Sequence, residues 1–239
     1  RALTGIKFGK HVPQTHPGSF ASIRPAGTRL AGLPPVVKQM SWNIQQARPV
    51  EGRSSVAAYW YDDKGQSPGE PAIVLSDTTA HMTHIIISDD PPGKRDLLLA
   101  MMGHFVPDIW RDVSNTRLLE IDRFGPYRAP GQAEKAILAL AASDSVSAMI
   151  ERAGQLRPEA GRAAGKEDFP AAVQAATRSR QELIRAYSAV QKPLSGEFRG
   201  FWCHNAFGVE GMSWDEAVRI LAVNGFTAIF PNMAWGGTA

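Results

Sequence analysis

Apolar positions in the last fifth of the chain fall in three blocks with different periods. Phe198 to Cys203 is short, apolar and aromatic, the pattern of a strand buried on both faces. Ser213 then reads as an N-cap, with Glu216 three residues later to complete a capping box. Val218, Ile220, Leu221 and Val223 give the following helix its apolar side, and Asn224-Gly225 supplies its stop. Phe226 to Phe230 predicts a second strand. The order strand, loop, helix, strand is that of a parallel βαβ unit, and residues just beyond each strand open onto one face.

Upstream the pattern divides the chain further. Residues 1–130 carry strand-like runs and turn signals: Val56 to Tyr61, a turn at Asp62-Asp-Lys-Gly65, then Pro71 to Leu75 and Thr83 to Ile87. After Asp89-Asp-Pro-Pro-Gly93, Leu97, Leu98, Met101, Met102 and Phe105 make a helical stripe. This alternation predicts part of an α/β domain, similar in its order of elements to the closing part of a flavodoxin-like or glutamine-amidotransferase-like fold. Residues 131–195 turn helical. Ile137, Leu138, Ala141, Val146, Met149 and Ile150 follow one helical spacing, and Val173, Ala176, Leu183, Ile184, Tyr187 and Val190 another. Between them Arg157 to Asp168, rich in Gly, Pro and charge, reads as a polar loop, so a helical hairpin connector is expected. Residues 196–239 form the third region.

Arg199-Gly-Phe-Trp202, Trp214-Asp-Glu-Ala217 and Asn224-Gly-Phe through Asn232 together resemble the first βαβ of the glycoside-hydrolase-like family 10 barrels. The close resemblance is confined to residues 196–239. It implies the start of a TIM-type (β/α)8 barrel, a parent glycoside hydrolase acting on a polysaccharide or other glycan, and an extracytoplasmic setting. The chain begins with Arg1 and ends at Ala239 directly after the second strand, whereas a full barrel takes about 250 residues. The expectation is therefore a fragment, inactive as a glycosidase by itself. Two other readings stay open: a non-catalytic carbohydrate-binding or scaffold protein with a degenerate barrel, and an amidotransferase-like enzyme centred on the N-terminal region. The nucleophilic cysteine of such amidotransferases has no counterpart there, because the single cysteine, Cys203, lies in the barrel strand.

Composition narrows the partners. The 239 residues are 44% hydrophobic with a formal charge of +3, and their basic residues are scattered among acids, which does not point to nucleic acid. No apolar run reaches the length of a membrane span. One cysteine excludes an internal disulfide and a cysteine-based zinc site. No cofactor and no metal are implied: His81 and His84 would fall on opposite faces of a strand. Asp89-Asp90 reads as a turn leading into a helix, with calcium binding the alternative.

The candidate site follows from what a sugar needs, flat apolar surface and directional amides. His204 and Asn205 follow the first strand, and Asn232 and Trp235 the second. His204 either bonds a sugar hydroxyl or caps backbone carbonyls, and the asparagines either bind ligand or terminate strands. Cys203 and His204, adjacent in a strand, point apart and make no nucleophile-base pair. Glycoside hydrolysis uses two carboxyl groups. Glu210 is the candidate carboxyl on the active face. Asp215 and Glu216 fall in the first helical turn, where they complement the helix dipole, and Glu197 enters from the opposite face.

Overall fold

The computed structural model describes residues 5–27, 30–140, 143–192, 195–204, 208 and 212–233. They form two compact units, Arg1–Tyr187 and Ser188–Ala239. Both helix and strand are abundant, so the chain is of mixed α and β class.

The first unit begins with seven strands: β1 (Ile6–Pro13), β2 (Phe20–Pro25), β3 (Val37–Ser41), β4 (Asn43–Pro49), β5 (Ser54–Tyr61), β6 (Pro71–Ser76) and β7 (Ala80–Met82). Five make one sheet in the order β3-β2-β5-β6-β7, while β1 pairs with β4. All these pairings are antiparallel. A flavodoxin-like sheet is parallel, because its strands are joined by helical crossovers. Here short turns join the strands, as at Asp62 to Gln66, and the helices come after the sheet, which corrects the expected flavodoxin-like order.

Burial along the strands shows why they pair. In β3, Val37, Gln39 and Ser41 are buried while Lys38 and Met40 are exposed, the period of two of a strand with one face on a core. β6 is buried along its whole length. Ile73 and Leu75 enter the main core with Ile23, Ile44 and Trp60, whereas Val74 packs with Ile6 and Ala47 from the β1-β4 ribbon. Trp60 is fully buried and its Nε1 donates to Thr83 Oγ1 at 2.8 Å, while Thr83 Oγ1 donates to Pro71 O. The segment 83–87, expected as a strand, leaves the sheet at this point. Gln39 Nε2 donates to Ile85 O at 2.9 Å, so a buried side chain takes the place of a ladder partner.

Among the described residues five helices follow, α1 (Pro91–Phe105), α2 (Asp108–Glu120), α3 (Gln132–Leu140), α4 (Asp144–Gly165) and α5 (Phe169–Val190), the last of which begins in this unit and runs three residues past its end. Leu97, Ala100, Trp110 and Val173 carry α1, α2 and α5 into the core of the sheet. Close approach here rests on two glycines. A methyl at Gly103 would overlap the Trp110 indole at Nε1, and one at Gly32, whose φ is +77°, would overlap its far edge.

The hairpin is formed by α4 and α5, with Arg152 paired to Glu182, Ser179 Oγ donating to Ala153 O, and Arg178 near Glu159, an antiparallel register. Its turn is shorter than expected. Helix α4 runs on through Arg157 to Gly165, with Pro158 inside it, because Ala153 and Ala160 continue its buried stripe and Arg157 reaches Asp122 at 2.7 Å. Charge along that stretch belongs to a solvated helix face and not to a loop.

In the second unit, β8 (Gly200–Cys203) and β9 (Ala228–Pro231) flank α6 (Trp214–Val223). The strands are parallel, with Gly200 opposite Ala228 and Cys203 opposite Pro231. Ser213 Oγ accepts from Glu216 N at 3.2 Å, the N-cap expected from the sequence. Cys203 and Ala217 are the buried side chains among this unit's described residues, while Phe198, Trp202 and Phe230 are exposed.

Candidate functional site

Among the described residues, polar groups gather at a strand-end position in one place and at a concave one in another. The first is the carboxyl edge of the β8-β9 pair. Because Cys203 lies opposite Pro231, His204 and Asn232 begin the two segments that leave the same edge. Asn232 N donates to Cys203 O at 2.8 Å, which carries the parallel ladder one step past the strands. His204 is exposed, its ring 6.2 Å from that of Trp202 and steeply inclined to it. Asn232 is half-buried. Cys203 is buried, in keeping with a core role. Asn205, Glu210 and Trp235 lie outside the described residues.

The acids among this unit's described residues have local duties. Asp215 and Glu216 stand exposed in the first turn of α6. Glu197 lies 2.7 Å from Arg199, and the hydrogen bond from that guanidinium, with the attraction of the two charges, pushes the Arg199 pKa up. Among the described residues, the groups that follow β8 and β9 directly are thus an imidazole and an amide, suited to hydrogen-bonding hydroxyls.

The second place was not legible in the sequence. A cleft in the first unit has two adjoining chambers, of about 430 and 230 Å³, which share Asp96, Thr177 and Gln181. Asp96 comes from the second turn of α1, Thr177 and Gln181 from α5. Burial pushes the Asp96 carboxyl up from its ordinary range; Arg117 and Arg95 oppose that rise and Asp90 adds to it. Read along the sequence, Lys94-Arg95-Asp96 looks like a solvated stretch of helix. Only the packing of α5 and α2 against α1 turns Asp96 into a cavity wall.

Of the groups weighed for metal binding, the two histidines lie against different aromatic rings and the two aspartates hold backbone amides. His81 meets Phe8 edge-on at 4.9 Å and His84 meets Trp42 edge-on at 4.6 Å, on separate rings. Asp89 Oδ2 accepts Met40 N at 2.7 Å, and Asp90 Oδ2 accepts Lys38 N at 3.0 Å. Asp90 also accepts Gly93 N through Oδ1, as the N-cap of α1. The two carboxylates therefore occupy the exposed edge of β3 as well as the start of the helix. Among the described residues no group of three or more His, Cys, Asp or Glu side chains could hold a metal ion. No described helix is long and apolar enough to cross a membrane.

Comparison of the chain with family models, with curated proteins and with solved structures gave no match.

Proposed function

We propose that β8, α6 and β9 are the opening unit of a TIM-type barrel of the glycoside-hydrolase-like family 10 kind, and that the protein acts on a polysaccharide or other glycan. The observation that carries this reading is the parallel register of β8 and β9, which starts the segments of His204 and Asn232 from one carboxyl edge. Barrel enzymes assemble their sites at that edge. The exposed side chains of Phe198, Trp202 and Phe230 support it, since parallel sheets are ordinarily covered on both faces. On this reading His204 and Asn232, with Asn205 and Trp235, form one wall of a sugar subsite. Catalytic carboxylates belong to other strands of the barrel, with Glu210 the nearest candidate in this chain.

The test is titration of the protein with trisaccharides of β-1,4-linked glucose and of N-acetylglucosamine, followed by NMR. Binding of either sugar, reduced about tenfold in a His204→Ala/Asn232→Ala double variant that melts normally, is the expected result. Unaltered affinity in that variant would remove these residues from the site, and the absence of binding to any glycan would remove the reading.

A further inference from the structure

We propose that the cleft between α1, α2 and α5 is a separate ligand site, which takes a small molecule carrying an oxyanion, carboxylate or phosphate, on an uncharged hydroxylated body. The two chambers together have the size of small-ligand pockets, and they combine an apolar wall with a few convergent polar groups. Pro34, Leu99 and Trp110 wall the larger chamber, with Thr177, Gln174 and Gln181 as its neutral hydrogen-bonding groups and Arg178, whose charge faces Glu159 at 3.8 Å, at its border. Arg95, Arg117 and Arg180 border the smaller one.

Charge places the anion. Three guanidiniums stand against one carboxylate, Asp96, around the smaller chamber, so its balance is cationic. Two of the three already have partners. Arg180 donates to Glu120 O and Arg123 O, where it caps the end of α2, and Arg117 pairs with Glu120 at 2.9 Å. The Arg95 guanidinium makes no hydrogen bond or ion pair with another described residue. A planar guanidinium that feels the nearby Asp96 charge but keeps its hydrogen-bond donors uncommitted beside a polar cavity is suited to the two oxygens of a carboxylate or phosphate. Asp96 sits where the chambers meet, and its oxygens have no hydrogen-bond donor among the described residues. A hydroxyl of the bound molecule would supply one. Charge thus separates the ligand into an anionic end at Arg95 and a hydroxylated part at Asp96 and Thr177.

The experiment titrates the whole chain with four probes: inorganic phosphate, glucose 6-phosphate, glucuronate and glucose. Glucose 6-phosphate or glucuronate should bind more tightly than inorganic phosphate, and whichever binds better identifies the oxyanion; glucose should not bind measurably. An Arg95→Gln/Arg117→Gln double variant should lose at least about tenfold in affinity for the sugar anion, with Arg95→Lys retaining part of it. Gln174→Phe, at an exposed position that lines the larger chamber and not the smaller one, should weaken the sugar anion and leave inorganic phosphate unchanged. Arg95 is exposed, so Arg95→Gln alone keeps the test valid if the double variant melts early. Failure of both sugar anions to bind, equal binding of glucose and its phosphate, equal binding of inorganic phosphate and the sugar anions, or full affinity without Arg95 would each overturn the proposal. Neutral trisaccharides probe the β8-β9 edge separately, so the two readings stand or fall apart.

Discussion

Lys94 Nζ lies 2.8 Å from Asp89 Oδ1, with the lysine side chain 6% exposed and the aspartate side chain 31% exposed. The same ammonium donates to Asp89 O and Ile87 O, so all three of its hydrogens have acceptors. A cation taken this far out of water is tolerated only when paired and fully hydrogen-bonded. The arrangement locks the turn before α1, and through Asp89 Oδ2 and Asp90 Oδ2 it ties that turn to the edge of β3.

Removing one partner should therefore cost more than removing the other's charge by a matched change. Asp89→Ala leaves Lys94 buried with its ion pair gone and should destabilise the first unit by about 2–4 kcal/mol. Lys94→Met, which keeps the apolar stem, should cost less. Urea denaturation compares the two. Equal, sub-kilocalorie losses would show that the pair is a solvated surface contact.

Glycine positions give a second contrast. Gly103→Ala should destabilise by about 1–3 kcal/mol, since the added methyl must displace Trp110 from the core. Gly154→Ala, exposed within α4 and with nothing near its added methyl, should stabilise by about 0.5–1 kcal/mol. Thermal melts of both variants check the opposite signs.

Asp122 is nearly buried and accepts Arg157 Nη2 at 2.7 Å and Gly131 N at 3.3 Å. It joins the end of α2 to α4. Asp122→Ala should cost about 1–3 kcal/mol, because the guanidinium and the amide both lose an acceptor. A melt within experimental error of the parent chain would mean that water replaces the carboxylate at no cost.

Burial holds the His81 pKa below its usual 6.5. The unfolded chain binds that proton more readily than the folded one, so this residue's contribution to stability is complete above the unfolded value and is lost as the pH falls below it. Stability measured from about pH 7.5 down to about 5.5 should decline, and His81→Gln should flatten the decline. An unchanged slope in the variant would assign it to other groups.

The Ser213 cap, the α6 stripe and the two strands around it were legible in the sequence because each depends on neighbours within a few residues, and helix capping and apolar periodicity are local signals. So was the helix after Asp90. The hydrophobic runs of β5 and β6 identified strands, but not their antiparallel partners. Pairing joins residues such as Ser22 and Tyr61, which are far apart in sequence and compatible with several registers. Tertiary contact also decided the length of α4: a Gly- and Pro-containing stretch stays helical because its alanines are buried and Arg157 finds Asp122. Of the two candidate sites, the first was legible: the strand-helix-strand order already put His204 and Asn232 at one end of a parallel strand pair, and the register of β8 and β9 agrees with it. Asp96 gave no signal at all, because a carboxylate becomes part of a cavity only when other helices close over it, and that is a property of packing rather than of any residue's neighbours in the chain.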